Sequence, residues 1–378
     1  MRYWPVYGGG ETITATLANE LVKRGHQVHI LYNYRNDVAP MPYKISDEIF
    51  ETQINTVDNN KSNVNILSSY IQANNIDVMI NQWGNHRLCY EAKKKTGTKL
   101  IICWHLDVIQ KVRPHGIRQN LFKILIGNNG FSKWSENKQI QMHIDNNKYS
   151  DKYVFLSKSF EDDYKCKAGN NAIESKLTSI SNPLTYSSNY DISKFNLKKK
   201  EVLFVGRILE YHKRLSYILK IWNLIETDHS LDDWSLVIVG DGPDMVPTQD
   251  LSEKLKLKRV SFEGFKDPRP YYERSSLFMM TSAFEGFGMT LVEAQQYGVV
   301  PIVMNTYLSL HDIISDGING VIINDGDIEG FASSMKLLMT NVDKRKQLAK
   351  SGLITCQQFR ANSIVDQWET LFKNVVTE

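Results

Sequence analysis

Two glutamates, Glu285 and Glu293, bracket the stretch Glu285-Gly-Phe-Gly-Met-Thr-Leu-Val-Glu293. Carboxylates accept hydrogen bonds from sugar hydroxyls well and suit phosphate poorly. Met289 to Tyr297 reads as a helix ended by Gly298, so Glu285 precedes it and Glu293 falls in its second turn. A helix opening behind two glycines presents unpaired N–H groups and partial positive charge, which suits a phosphate. The backbone of Gly286, Phe287, Gly288, Met289 and Thr290 supplies those donors. Phosphate donors set between two hydroxyl acceptors predict a nucleotide-sugar site, with both glutamates directed at a ligand lying across the helix start.

A second charged group lies upstream. Glu201-Val-Leu-Phe-Val-Gly-Arg207 reads as a strand, a glycine and a cation at the strand's carboxyl end. Lys213 follows just before a helix running to about Ile225. Arginine offers phosphate oxygens a planar fork and lysine a point charge, so the two form a second anion site. In the N-terminal half, Gly8-Gly-Gly10-Glu11 precedes a helix from about Thr12 to Arg24, with Ile13, Leu17 and Leu21 on one stripe. Gly9 and Gly10 could approach a phosphate, but the spacing is not the G-x-G-x-x-G of dinucleotide enzymes. His105 follows the strand Leu100–Trp104, where ligand crevices open in α/β sheets. Trp83 and His86 also follow a strand, and there packing is the expected role.

The positioning elements alternate between strand and helix throughout. Val28–Tyr32, Asp77–Ile80, Leu100–Trp104 and Lys152–Ser157 read as strands of the first half. Glu201–Val205, the run from Trp234 to Val239, Arg259–Gly264, Leu277–Met280, Val299–Val303 and Gly317–Ile323 read as strands of the second. Ser181-Asn-Pro-Leu184 is a turn signal, and the polar stretch through Lys198-Lys-Lys200 reads as an interdomain linker. The expected division is 1–185, 186–358 and a final helix within 359–378. From Leu106 to Ser150 the pattern loosens. Lys111, Arg113, His115, Arg118, Lys123, Lys133 and Lys138 surround the apolar cluster Leu121–Ile126, and both a membrane-surface helix and a helix packed on its own domain fit this.

With 378 residues, 42% hydrophobic and 23% charged, the chain suits two globular domains. A net charge of +3 gives no reason to expect nucleic acid. The four cysteines (Cys89, Cys103, Cys166, Cys356) show no paired spacing, which fits a reducing compartment. No apolar run approaches the ~20 residues needed to cross a bilayer, and the N-terminus does not read as a signal peptide. A cytoplasmic protein is expected, with a peripheral contact on the inner membrane face as an open addition.

The Glu285–Glu293 stretch, with Ser282 before it and Gly-Val-Val-Pro-Ile-Val after it, resembles the E-x7-E signature of retaining glycosyltransferases of family 4. These have the α/β GT-B fold, two Rossmann-like doubly wound domains facing across a cleft, with a C-terminal helix crossing back. Gly-Gly-Gly-Glu, Gly-Arg-x5-Lys and Gly-Asp-Gly-Pro resemble further motifs of that family, and the likeness spans nearly the whole chain. It implies transfer of a sugar from a nucleotide diphosphate sugar (UDP or GDP) to a hydroxyl of a glycan or lipid-linked acceptor, without cofactor or metal. It assigns the leaving diphosphate to Arg207 and Lys213, a sugar hydroxyl to Glu285, the ribose to Glu293 and the base to Gly264 and Phe265. His105 falls near the transferred sugar, and Gly9 and Gly10 approach the diphosphate. Two departures stand out. Only seven residues precede the glycine run, where the family has its first strand, and Asn305–Leu308 replaces a small, glycine-rich turn, with Asp312 where a Glu is common. A glycan phosphorylase would need a pyridoxal phosphate lysine and a much longer chain. A catalytically silent nucleotide-sugar-binding homologue is the alternative of a different class.

Overall fold

The computed structural model describes residues 3–5, 9–35, 44–54, 56, 58–82, 84–110 and 116–377, the side chains of 116–122 and 126 excepted. It divides into two compact units, Met1–Thr185 with Ala361–Glu378, and Tyr186–Arg360. Every strand pairing is parallel. The fold class is the expected α/β one.

In the first unit the strands are β1 (Tyr3–Trp4), β2 (His29–Tyr32), β3 (Tyr34–Arg35), β4 (Phe50–Gln53), β5 (Val78–Asn81), β6 (Lys99–Trp104), β7 (Lys152–Phe155) and β8 (Leu177–Ser179). They form three separate ladders, β1-β3, β2-β4 and β5-β6-β7-β8. The helices are α1 (Gly9–Lys23), α2 (Lys61–Ala73), α3 (His86–Thr96), α4 (Gly116–Tyr149) and α5 (Lys158–Ala168). Asparagine or serine side chains cap three of them: Asn60 accepts from Asn63 N, Asn85 from Leu88 N and Ser157 from Phe160 N. The glycine run is not wholly a loop, since Gly9 and Gly10 lie in the first turn of α1. The region read as loose from Leu106 is largely α4, broken at Gly127 (φ 71°, ψ 172°), a backbone that only glycine adopts readily. Lys111, Arg113, His115 and Trp83 lie outside the described residues.

The second unit carries β9 (Lys199–Val205), β10 (Ser235–Val239), β11 (Val260–Gly264), β12 (Ser275–Met280), β13 (Val300–Asn305) and β14 (Val321–Asn324) in one sheet of order β11-β10-β9-β12-β13-β14. Its helices are α6 (Glu210–Lys213), α7 (Leu215–Glu226), α8 (Met245–Lys254), α9 (Arg269–Arg274), α10 (Met289–Gln295), α11 (Leu310–Ile313), α12 (Ile328–Thr340) and α13 (Val342–Thr355). Continuous apolar runs such as Val202-Leu-Phe204 and Leu277-Phe-Met-Met280 are buried, as strands covered on both faces require. The chain winds outward from β9 to β10 and β11, then returns to the other side of β9 with β12. The strand order therefore reverses between β9 and β12, the place where open α/β sheets bind ligands beyond their carboxyl ends.

Two boundaries differ from the sequence reading. The stretch before Lys198 is no loose linker, because Phe195 is buried in the core of the second unit. Phe359 does not join the last helix; it packs edge-to-face on Phe287, centroids 5.5 Å apart. The last helix, α14 (Ala361–Thr377), belongs to the first unit. It buries Ile364, Trp368, Leu371 and Val375 against Leu17 and Leu21 of α1 and Ile101 of β6. Arg24 holds its outer face through Asp366 (2.5 Å) and Glu369 (2.9 Å).

Candidate active site

The loops after β9, β10, β12 and β13 meet at the carboxyl edge of the second unit's sheet. Two close approaches fix the first pair of loops. A Cβ on Gly240 would lie 1.8 Å from the Gly206 carbonyl oxygen, and one on Gly242 would lie 2.2 Å from that of Ile208. Gly206 N donates to Val239 O (3.0 Å) and Ile208 N to Asp241 O (2.9 Å). The Gly-Asp-Gly-Pro glycines thus serve more than their own turn, because they let two backbones touch.

The loop after β12 is tied to the turn before α7. Ala283 N donates to His212 O (2.7 Å), and Thr281 Oγ1 donates to Lys213 O (2.9 Å). Arg214 adopts the left-handed conformation (φ 51°) that closes this turn. These bonds bring Lys213 Nζ to 2.5 Å from Glu285 Oε1, each side chain about a tenth exposed (11% and 10%). A Cβ on Gly206 would lie 3.4 Å from Lys213 Cε, so the lysine stem runs over bare backbone. Burial by itself would raise the Glu285 carboxyl; the charge and hydrogen bond of Lys213, with His212 close by, outweigh it and bring it down to about 2. Glu285 is therefore an ionised acceptor at any physiological pH.

Sequence reasoning passed over His212, although it directly precedes Lys213. Its Nε2 lies 3.6 Å from Glu285 Oε2, and its ring stacks on Phe284 at 4.4 Å and 10°. It also passed over Tyr307, whose hydroxyl would lie 2.8 Å from a Cβ on Gly288. Gly288 is in the left-handed region (φ 94°) at the start of α10, which runs only to Gln295 rather than to Tyr297. In the loop after β13, Thr306 Oγ1 donates to Ser282 O (2.7 Å) and Tyr307 fills the space that Gly288 leaves.

The two glutamates have different neighbours. Glu293 Oε2 accepts from the Tyr272 hydroxyl (3.0 Å), and the Tyr272 and Tyr297 rings stack at 6.0 Å. Burial raises the Glu293 carboxyl against the pull of that hydrogen bond. One carboxylate is thus held charged beside a lysine, and the other leans toward the neutral form among tyrosines. Nothing in the sequence spacing distinguishes them, since Tyr272 and Lys213 reach the pair only through the fold.

Arg207 is exposed and makes no hydrogen bond or ion pair among the described residues, so Lys213 alone of the two cations is held by Glu285. The Phe287 side chain is buried on Phe359, which leaves only its backbone facing the loop. Gly286 and Phe287 carbonyls each lie 3.4 Å from the Ser309 hydroxyl. Met289 and Thr290 are partly buried in the first turn of α10. Gly264 takes φ 69° and its carbonyl accepts from Gly240 N (2.8 Å), while Phe265 is 62% exposed beside it. His105 and the helical Gly9 and Gly10 belong to the other unit. There His105 is partly buried at the carboxyl end of β6, and burial lowers its imidazole to about 4.

Both halves match family models. Residues 188–353 match that of Glycosyl transferases group 1, and residues 7–183 that of Glycosyltransferase Family 4. One relative is the Campylobacter jejuni enzyme named GalNAc-alpha-(1->4)-GalNAc-alpha-(1->3)-diNAcBac-PP-undecaprenol alpha-1,4-N-acetyl-D-galactosaminyltransferase, 27% identical over 51% of this chain and 54% of that one. The chain spans about half the length of such curated relatives. Among solved structures, sucrose-phosphate synthase from Thermosynechococcus elongatus superposes with a TM-score of 0.73, covering 98% of this chain and 94% of that one at 15% identity. Anabaena HepE in complex with UDP-glucose gives 0.67, covering 97% and 96% at 17% identity. These likenesses establish the GT-B fold. With both halves matched, the chain belongs to the glycosyltransferases of group 1 and family 4.

Proposed function

We propose that this chain transfers a sugar from a nucleotide diphosphate sugar to a hydroxyl of a glycan or lipid-linked acceptor, with retention of anomeric configuration. The observation that carries the reading is the Lys213–Glu285 pair at the strand-order reversal, a buried cation and a permanently ionised acceptor side by side. An incoming diphosphate takes over Lys213, and exposed Arg207 reaches the same anion. Glu285 is then released to accept hydrogen bonds from the sugar. Both cations act on charge that grows as the diphosphate leaves, so they stabilise the transition state more than the bound donor. The backbone of Gly286 to Thr290 donates to the phosphates, and Glu293 with its tyrosines receives the ribose. Gly264 and Phe265 sit where the base is read.

Glu285 is engaged with Lys213 and is not placed as a covalent nucleophile of the glycosidase kind. A front-face course fits these residues. The bond from C1 to the diphosphate oxygen breaks, the acceptor oxygen bonds C1 on the same face, and its proton passes to the departing phosphate oxygen. Arg207 and Lys213 supply the neutralising charge, so the reading asks for no metal ion. The Campylobacter relative's name and the UDP-glucose complex of HepE support a nucleotide-sugar donor and a lipid-linked acceptor. Among the described residues no helix is long and apolar enough to cross a membrane. Ile124 and Leu125, 77% and 81% exposed beside Lys123, support contact with a membrane surface carrying such an acceptor. We place the reaction on its cytoplasmic side.

The test is a thermal-shift panel of UDP-, GDP-, ADP- and CMP-sugars, followed by NMR of the product's anomeric proton. A shift with one nucleotide, abolished in Lys213→Ala, and a product of the donor's anomeric configuration are expected. An inverted product would end the front-face course. Donor binding without turnover on any acceptor would favour the silent homologue.

A further inference from the structure

Glu285 faces two basic side chains and is bonded to one of them. His212 and Lys213 are neighbours in α6, and adjacent residues on a helical turn ordinarily point to different sides. Here both reach the same carboxylate, one at each oxygen: Lys213 Nζ lies 2.5 Å from Oε1 and His212 Nε2 lies 3.6 Å from Oε2. The loop after β12 brings this about by closing over the turn. Ala283 N donates to His212 O (2.7 Å), and the Phe284 ring lies flat on the imidazole (4.4 Å, 10°). Both the backbone and the ring plane of His212 are therefore fixed. At 3.6 Å the contact with Glu285 is too long for a hydrogen bond. Nε2 is buried and has no hydrogen-bond partner among the described residues. A buried ring nitrogen left unbonded destabilises a fold, so its place here calls for a partner in another state of the site.

The charges around Glu285 identify that state. In the free chain Lys213 neutralises it. On the reading proposed above, on which this inference rests, the donor's diphosphate draws Lys213 away and occupies Arg207 as well. A carboxylate only 10% exposed would then stand without a counter-charge, which is costly. The other neighbours do not supply one. Glu210 is itself acidic and is held by Ser216 N (3.0 Å) and the Ser216 hydroxyl. Arg214 is paired with Asp325. Burial, and then the Glu285 charge, raise the Tyr307 hydroxyl, which stays neutral. His212 remains. An imidazole changes charge within the physiological range, and a shift of about half an ångström brings its N–H to bonding distance of Oε2.

We infer that His212 is the positioning residue that replaces Lys213 as the partner of Glu285 when the donor binds. It takes a proton from solvent as the diphosphate claims Lys213, and returns it when the nucleotide leaves. Glu285 thereby stays ionised and fixed through the whole turnover. The bound state holds one more proton than the free one, so donor affinity rises as pH falls and declines as pH rises. Both phosphates of a nucleotide sugar are esterified and carry no proton near neutrality, so the uptake belongs to the protein.

Titration calorimetry of the full chain with UDP-glucose, UDP-N-acetylgalactosamine and GDP-mannose, at pH 7.5 in two buffers of different ionisation enthalpy, reads the protons taken up. With whichever binds, the parent should take up roughly half a proton or more, and its Kd should rise about 3-fold or more from pH 6.5 to 8.5. His212→Gln keeps a neutral donor but cannot titrate, so it should bind without uptake and with a Kd that does not change over that range. His212→Arg, a permanent planar cation able to lie on Phe284, should hold the affinity of pH 6.5 up to pH 8.5. Glu285→Gln leaves no charge to balance, and there too uptake should vanish. Binding without uptake in the parent, or uptake that survives His212→Gln, would overturn the inference and leave the nucleotide-sugar reading standing. Uptake that survives Glu285→Gln would mean that His212 addresses the phosphate directly, which also overturns it. No binding of any of the three donors would overturn that reading itself, and the inference with it.

Discussion

The two units are built from the same alternation of strand and helix, yet among the described residues only the second joins its strands into one sheet. In the second unit β9 sits in the middle of six strands, and the loops from its neighbours are bonded to one another at the sheet edge. In the first unit the corresponding region is split between two ladders. The buried titratable groups differ as well. The second unit holds a charged pair, Lys213 with Glu285, at its loop cluster. The first holds a neutral imidazole: His143 is fully buried, with Nδ1 2.5 Å from the Tyr153 hydroxyl and Nε2 2.9 Å from the Val108 carbonyl. A closed sheet can aim charges at a ligand, because its strand ends do not shift relative to one another. The largest expected effects of substitution therefore lie in the second unit.

Lys213→Ala tests this most severely. It removes the cation proposed to face the leaving diphosphate, and on that reading kcat/KM should fall by about 10³-fold, as when a donor to developing charge is lost. It also leaves Glu285 charged with only His212 near, at roughly 3 kcal/mol of stability. Lys213→Ala combined with Glu285→Gln should recover most of the stability and none of the rate, which separates the two effects by urea unfolding and single-turnover kinetics. Arg207→Ala, at an exposed and unpaired side chain, should cost about 10²-fold in rate with little change in stability. His105→Ala in the first unit should leave donor affinity intact. If it abolished donor binding while Lys213→Ala did not, the comparison would be reversed.

The glycines sharpen the contrast. Gly240→Ala forces a Cβ against the Gly206 carbonyl, whereas a Cβ on Gly9 meets nothing within 4 Å. The first change should destabilise by roughly 3 kcal/mol or more, and the second by less than about 0.5 kcal/mol. Loss of activity in Gly9→Ala at unchanged stability would then point to a ligand and not to packing. These glycines also mark the limit of what could be read from the sequence. Strand cores such as Val202–Phe204 and Leu277–Met280 announce themselves by composition, and the fold class follows from their alternation with helices. That Gly240 exists for the sake of Gly206 is a contact across two loops, invisible to spacing. Likewise E-x7-E picks out Glu285 and Glu293 but says nothing of Tyr272, which comes from α9, or of Tyr307, which comes from the loop after β13. The polar stretch before Lys198 misled as a linker because its few apolar residues, buried Phe195 and partly buried Ile192, anchor it on the second unit's core.

Acid should separate the units by pH window. Burial lowers His143 to about 4, so the unfolded chain binds more protons between about 6.5 and 4, and stability falls as pH drops through that range. For this fully buried ring the loss is on the order of 3 kcal/mol. Glu285 sits at about 2, so the stability from its pairing holds above the ordinary carboxylate value of 4.5 and is lost only as pH falls from there toward 2. Hydrogen exchange followed at pH 7, 5 and 3 should show the first unit opening before the second. The reverse order would mean that the buried imidazole does not govern the first unit.

The smallest effect lies at the end of α9. Lys198 Nζ donates to the carbonyls of Tyr272 (3.1 Å), Glu273 (3.1 Å) and Ser275 (2.9 Å), and burial lowers it to about 7. The unfolded chain keeps this proton up to about 10.5, so the native state is relieved of a buried charge as pH rises, and stability should climb between 7 and 10.5. Lys198→Met removes the titration together with three acceptors' partner: it should be less stable at every pH, yet flat across that window. Because the same α9 carries Tyr272 to Glu293, any loosening at its end should also weaken donor binding, visible as a higher donor Kd with unchanged kcat. A parent chain whose stability does not rise above pH 7 would show that the three carbonyls hold Lys198 charged despite its burial.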